Sequence, residues 1–532
     1  MFYFPSISMD GQPTTEIPWK PRHNPWIIAL SVMLATFMEV LDTTILNVAL
    51  PYIAGGLSAS NSQATWVLTS YLVSNAVVLP MTDWLGRTFG RKRLLLACIS
   101  LFTISSVMCG GAPNLGTLIF ARVLQGAGGG GLQPISQAIL LESFPPEKRG
   151  QAMGLFALGV VVAPILGPVF GGWLTDNLNW RWCFFINLPV GIFAIIASYF
   201  TVEDPPYLRR NSEKKLDILG FSFLCLWLGC LQVLLDKGQE DNWFDAIWLR
   251  WMGGLSLIGM ICFIFRELKT PNPLVDLRIF KDKNFSVAVF EVFIVGVVLY
   301  ATLSGLPLFL QTLISYTAYQ SGLAISPRGI GAVAGAIIAG RLLGLISGRL
   351  IVALGFIFLA ISSFQIGFFN LEIAKLNIII PNIINGIGAP FVFIPLTTAA
   401  VITLKQEQIG AATGLFNLFR NIGGSIGTSM VQTFIQRLAQ AHQTILVGYY
   451  TPDNLNYLSR FSGIESYLGM HSGSVPAASQ ALKVLYSTLI NQANLLAYME
   501  IFQVMGWICV FSIPLAFLLA KDTKKTGPVA MH

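Results

Sequence analysis

Long apolar runs alternate with short polar ones from about residue 26 almost to the end of the chain. A run of at least about 18 apolar residues is long enough to cross the ~30 Å hydrocarbon layer as a helix rising ~1.5 Å per residue. Taking Gly, Pro and charged clusters as breaks predicts fourteen spans, starting near residues 26, 63, 93, 115, 149, 181, 216, 246, 285, 320, 350, 376, 408 and 497. The longest polar interruption, 437 to 496, carries apolar Ala478, Leu482, Leu485 and Leu489 at helical spacing.

Composition agrees: 54% of residues are hydrophobic, 11% are charged and mean hydropathy is +0.66, whereas an ordinary soluble domain is about a quarter charged. The chain reads as an all-α integral membrane protein. Its formal charge of +7 sits in short clusters between apolar runs, which argues against a nucleic-acid partner. The seven cysteines lie in or beside apolar runs without C-x-x-C spacing, so they offer neither a disulfide framework nor a zinc site. His23, His442, His471 and His532 lie outside the spans, and no nucleophile–base or metal-ligand constellation is visible. An enzyme, a metal and an organic cofactor are therefore not expected. The first 25 residues lack a short apolar core followed by a cleavage site, so the first span is expected to direct insertion and remain.

An even number of spans puts both ends on one side, and basic residues identify it. With the N-terminus inside, the inner segments hold clusters such as Arg87, Arg91, Lys92 and Arg93, and Arg266, Lys269, Arg278, Lys281 and Lys283. The short outer loops hold only Arg181, Lys237, Arg250 and Lys375. Both termini are expected to be cytoplasmic.

Comparing the chain with itself reveals a duplication. "GQAMGLFAL" at 150–158 matches "GAATGLFNL" at 410–418, an offset of 260, and at the same offset "RVLQGAG" (122–128) faces "NIINGIG" (382–388). A looser pair, Gly90 with Gly348, lies at 258. The expected organisation is a tail (1–25), a six-helix bundle (26–202) and a linker (203–284) with two extra spans. A second six-helix bundle (285–520), which includes the outer segment 437–496, and a tail (521–532) follow. Duplicated membrane bundles are typical of secondary transporters, whose sites lie between the halves near the midplane.

Ionisable groups inside the spans narrow the site. Glu39 and Asp42 share one helix face, and either is costly if ionised and unpaired in the membrane. Asp42 lies roughly 13 Å from the outer end of the first span and Arg122 roughly 10 Å below the same surface. Their depths match. A static ion pair locking two helices is one reading. The other is a carboxylate whose proton affinity depends on whether the pair is closed or open, which suits proton coupling. Asn382 stands at the position matching Arg122, so the charge belongs to one half. Glu291 is a further buried-acid candidate or an inner-face snorkelling group. Arg328 and Arg420 lie deep, and Arg420 is open to three roles: binding an anionic group, pairing with a carboxylate or capping loosened backbone.

"GAGGGG" (126–131) and "PILGPVFGG" (164–172) allow close helix approach. With Pro164, Gly167, Pro168, Gly171 and Gly172, they read as hinge and sliding surfaces. The basic turn "GRTFGRKR" (86–93) lacks the strand and helix context of a phosphate-binding loop.

These residues resemble the major facilitator superfamily, and within it the fourteen-helix drug:proton antiporters of the EmrB/QacA type. The likeness is carried by "LDTTILNVALP" (41–51), "RVLQGAGGGG" (122–131), "GPVFGGWL" (167–174) and "WRWCFFINLPVG" (180–191). In the second half it is carried by "LPLFLQ" (306–311), "SPRGIG" (326–331) and "GLFNLFRNIGGSIG" (414–427). The resemblance implies a major facilitator fold and proton-driven efflux of hydrophobic or amphipathic drugs by alternating access. It places Asp42 and Arg122 in the proton relay; the residues themselves offer Glu39 as a second relay or a cavity-lining charge for cationic substrates, and Glu291 as a further acid. It also implies a bacterial inner-membrane protein in contact with lipids, working with a periplasmic adaptor and an outer-membrane channel; segment 437–496 is open to two roles, touching that adaptor or lying on the membrane surface. Rival readings are a carrier of a nutrient or siderophore and a membrane sensor without flux. The cavity is expected to draw on Tyr71, Asn75, Gln125, Gln133, Gln137, Gln311, Asn417 and Arg420. The family's loop G-x-L-x-D-R-x-G-R-K is altered: Asp83, Arg87 and Thr88 replace its first glycine, aspartate and arginine, while Gly90, Arg91 and Lys92 persist. The charge lock that the family's aspartate makes is therefore in question here.

Overall fold

A computed structural model describes residues 21–145, 148–205, 217–271, 273–343, 345–405, 408–451, 453–471 and 477–520. The expected tails, apart from 21–25, and part of the linker (206–216) lie outside the described residues. Among the described residues every regular element is helical. Fourteen helices follow the expected spans: α1 (Pro25–Gly56), α2 (Asn61–Val78), α3 (Arg91–Gly110), α4 (Leu115–Ser143), α5 (Arg149–Asn177), α6 (Asn187–Thr201), α7 (Ile218–Lys237) and α8 (Ile247–Lys269). They continue with α9 (Lys283–Thr312), α10 (Pro327–Leu342), α11 (Gly348–Ile366), α12 (Lys375–Ile402), α13 (Ile409–Val447) and α14 (Ala477–Ala516).

Among the described residues, twelve stretches are long and apolar enough to cross a membrane. The other two expected spans coincide with α4 and α13, which are long enough, but their glycines and polar side chains lower their mean hydropathy. Those polar side chains build the site described below.

Local sequence sets the helix ends. Asn24 accepts from Trp26 N at 3.0 Å, with Pro25 in the first turn of α1, and Ser60 and Gln63 form a reciprocal capping box at α2. Asn114 and Asp282 cap α4 and α9 through Thr117 N (2.9 Å) and Phe285 N (2.8 Å). Gly90, at φ +89°, stops the short helix Thr82–Phe89 and lets α3 begin at once. A side chain there would also meet the Asp204 carboxylate at 2.6 Å.

The packing repeats. The most extensive contacts of the first half are α1 with α5, α3 with α4, and α2 with α4; those of the second are α9 with α13, α11 with α12, and α10 with α12. The offset of 260 recurs in three dimensions. Gly126 lies against the Tyr71 carbonyl and Gly386 against the Arg328 carbonyl, while Gly128 meets Cys98 and Phe102 where Gly388 meets Gly355 and Leu359. The inserted pair α7 and α8 pack on each other, and α7 touches both α2 and α13.

One boundary differs from the sequence reading. The described part of the outer segment 437–496 is largely helical, as the spacing of Ala478, Leu482, Leu485 and Leu489 predicts: α13 continues to Val447, a helix covers Leu455–His471, and α14 begins at Ala477 rather than near 497. Ala481, Leu485 and Leu489 of this extension are buried, whereas Leu482 is 51% exposed. The polar residues between these apolar positions are on a solvated helical face.

Candidate functional site

Asp42, in the middle of α1, is fully buried and paired with Arg122 of α4 at 2.7 Å. Its Oδ1 also accepts from Gln125 Nε2 (2.9 Å) and Asn187 Nδ2 (2.6 Å). Arg122 Nη1 donates to Gln125 Oε1 at 2.8 Å, and its Nε donates to the Val67 carbonyl at 3.0 Å. The guanidinium lies 4.1 Å from the centre of the Tyr71 ring. Removing two charges from water is expensive, and their attraction offsets this only with good geometry and satisfied hydrogen bonds. Four helices supply those bonds, and an apolar cluster including Val40, Ile45, Val67, Leu118 and Phe184 surrounds them.

Glu39, three residues nearer the N-terminus on the same face, has a different set of partners. Its Oε2 accepts from Gln133 Nε2 at 2.7 Å, and its Oε1 accepts from Asn75 Nδ2 (3.3 Å) and Tyr71 OH (3.4 Å). Gln133 Oε1 in turn accepts from Arg420 Nη2 of α13. Asn417 Nδ2, one turn away, donates to Gln137 Oε1 at 2.6 Å. Two amides of α4 thus join the first half to the second, and one of them connects Glu39 with Arg420. Of the three roles open to Arg420, the structure shows an indirect link to a carboxylate, with its guanidinium 5.6 Å from the centre of the Phe393 ring.

Tyr71, Asn75, Gln125, Gln133, Gln137, Asn417 and Arg420 are all buried in these two networks. Gln311 is not among them: it is exposed next to the C-terminal residue of α9. Glu291 is fully buried, with no hydrogen-bond partner for either carboxylate oxygen among the described residues. Asn187 and Ser106, bonded to each other at 3.0 Å, were not anticipated. An asparagine opening a span reads as an ordinary cap.

The altered loop forms its own charged cluster. Asp83 pairs with Arg87 at 2.8 Å, and Arg91 pairs with Glu142 at 2.6 Å. A Cβ on Gly410, in the first turn of α13, would run into the Asp83 carboxylate. Asp83 therefore lies at the positive end of that helix dipole. Lys92 N donates to Asp204 Oδ1 at 2.8 Å. On α5, Gly167 packs against Thr44 and Gly171 against Ile45 of α1, whereas Gly172 has nothing near it. Pro164 and Pro168 lie within the same helix.

Comparison with known proteins agrees with this architecture. Residues 32–428 match the model of the Major Facilitator Superfamily. The chain is 38% identical to the multidrug export protein EmrB of Haemophilus influenzae over 432 residues, covering 80% of this chain and 84% of that protein. It is also 38% identical to the fatty acid resistance protein FarB of Neisseria gonorrhoeae over 502 residues, 94% and 97% of the two chains. Among solved structures, the human organic anion transporter MFSD10 (TETRAN) superposes with a TM-score of 0.56 at 14% identity, covering 92% of this chain and all of that one. That last likeness concerns the fold alone.

Proposed function

Because the chain belongs to the major facilitator superfamily, we propose that the multidrug efflux it carries out as a multi-pass membrane protein is driven by protons, exchanged for drug by alternating access. The observation that carries the coupling is the Asp42–Arg122 pair, buried to 0% exposure on both sides in one half only. In this reading Asp42 carries the proton. With the pair closed, the guanidinium and two amides occupy both carboxylate oxygens; opening the pair frees them for the proton that Asp42 carries in this reading.

Glu39 couples this chemistry to the opening of the protein. Its link through Gln133 to Arg420 crosses between the halves, so rocking one half against the other changes what Glu39 meets. Tyr71, Asn75, Gln125, Gln133, Gln137, Asn417 and Arg420 supply aromatic and amide contacts for hydrophobic or amphipathic drugs. Glu291, without a partner among the described residues, is a second proton site in this reading.

The setting follows from charge and shape. The basic clusters of the sequence fall in the segments that an inside N-terminus places inside, which favours a bacterial inner membrane with both termini cytoplasmic. The helix Leu455–His471, between α13 and α14, exposes Leu455, Tyr467 and Met470. Such a surface suits a periplasmic adaptor leading to an outer-membrane channel.

Inverted membrane vesicles test the proposal. A proton gradient, acid inside, should drive uptake of a fluorescent drug, and an uncoupler should abolish it. Uptake that ignores the gradient would count against proton exchange.

A further inference from the structure

The two oxygens of Asp42 are served unequally. Oδ2 accepts from Arg122 Nη1 at 2.7 Å and from no other group among the described residues, whereas Oδ1 accepts from two amides, Gln125 Nε2 at 2.9 Å and Asn187 Nδ2 at 2.6 Å. The two amides differ in what holds them. Gln125 stands three residues after Arg122 on α4, and its own Oε1 accepts from Arg122 Nη1 at 2.8 Å. Asn187, the first residue of α6, is 1% exposed, and its Nδ2 also donates to Ser106 Oγ of α3 at 3.0 Å.

The neighbours of that amide fix its orientation. Ser106 Oγ donates its single hydrogen to the Phe184 carbonyl at 2.9 Å, so towards Asn187 it can only accept. An ionised carboxylate also only accepts. A flipped Asn187 amide would set its carbonyl oxygen against two acceptors, so the nitrogen must face them. Ser106 is fully buried, and its bond to Phe184 ties α3 to the turn that leads into α6. The Asn187 donor is thus held by α3 and α6, with no hydrogen bond to α4 among the described residues.

We propose that Asn187 is a positioning residue for the proton step, keeping Asp42 Oδ1 occupied when Arg122 leaves and so directing the proton to Oδ2. The inference rests on the proton-exchange reading above. As the pair opens, Gln125 goes with the guanidinium, because the two share one helix and a hydrogen bond. Asn187 stays. A proton from the water that reaches the opened site then bonds to Oδ2, and Oδ1 becomes the carbonyl oxygen of the acid. Guanidinium and proton therefore compete for one oxygen, and the return of Arg122 to Oδ2 sends the proton back to water.

Infrared difference spectra of the reconstituted full-length protein, taken between acid and alkaline pH, test this. The carbonyl stretch of protonated Asp42 is the band that Asp42→Asn abolishes. A carbonyl oxygen that accepts a hydrogen bond stretches at lower frequency, so Asn187→Leu, which removes the donor, should move the band to higher frequency. Asn187→Ala should do the same, and it carries the comparison if the leucine variant does not fold. Gln125→Leu removes the other donor to Oδ1 but should leave the band in place. Gradient-driven drug uptake should fall severalfold in both Asn187 variants. A band that stays put in those variants, one that moves equally in Gln125→Leu, or uptake by the Asn187 variants at the wild-type rate would overturn the inference and leave the proton reading standing. Absence of any Asp42 band from the wild type would overturn the proton reading, and the inference with it.

Discussion

Arg420 of α13 donates to Gln133 of α4, and the same glutamine donates to Glu39 at 2.7 Å. One amide therefore sits between a cation of the second half and an acid of the first. Removing either neighbour should lose the same link, so the transport defects of Gln133→Ala and Arg420→Ala should be non-additive. A double-mutant cycle on transport rates should give a coupling of about 0.5–3 kcal/mol. Additive defects would mean that the contact is incidental to the cycle.

The buried pair of Asp42 and Arg122 predicts an asymmetry in stability. Arg122→Ala leaves a buried carboxylate without its partner and should cost about 3–5 kcal/mol, while Arg122→Gln combined with Asp42→Asn should be far milder. Thermal unfolding of the purified variants in detergent measures the difference.

Two glycines of α5 separate packing from mere composition. A Cβ at Gly171 would lie 3.0 Å from the Ile45 carbonyl oxygen, whereas at Gly172 nothing is within 4 Å. Gly171→Leu should therefore destabilise the protein by about 1–3 kcal/mol, and Gly172→Ala should leave it unchanged or more stable by up to about 1 kcal/mol. Melting temperatures of the two variants give the comparison.

At the inner turn, the Asp83 carboxylate faces the first residues of α13 beside Gly410. Asp83→Asn removes the negative charge from that helix end, worth about 0.3–1 kcal/mol. Amide hydrogen exchange over the first turn of α13 should become faster. Unchanged exchange would show that the altered loop no longer holds the two halves together there.

Much of this architecture was legible in the sequence because the membrane imposes one strong rule: each spanning backbone must satisfy itself as a helix. The offset of 260 gave the equivalence of Gly126 with Gly386 before any coordinate did. The mutual depth of Asp42 and Arg122 followed from counting residues from the breaks near Pro51 and Leu115. Asn187 was hidden because its role comes from the fold bringing α6 beside α1. The Gln133–Arg420 contact depends on how two halves dock, and no spacing within either half records that. The helix α14 starts about twenty residues before the expected span because Ser479, Lys483 and Asn491 interrupt the apolar run of a partly solvated helix. The helices α4 and α13 were the least apolar spans because they carry the polar side chains of the buried networks, Arg122, Gln125, Gln133 and Gln137 on one and Asn417 and Arg420 on the other.

The central claim is that Asp42 carries the proton. Its most direct test is transport by Asp42→Asn in reconstituted vesicles, measured once with a proton gradient and once as exchange of labelled for unlabelled drug at uniform pH. The account predicts that gradient-driven transport collapses while exchange persists. Gradient-driven transport at the wild-type rate would contradict it.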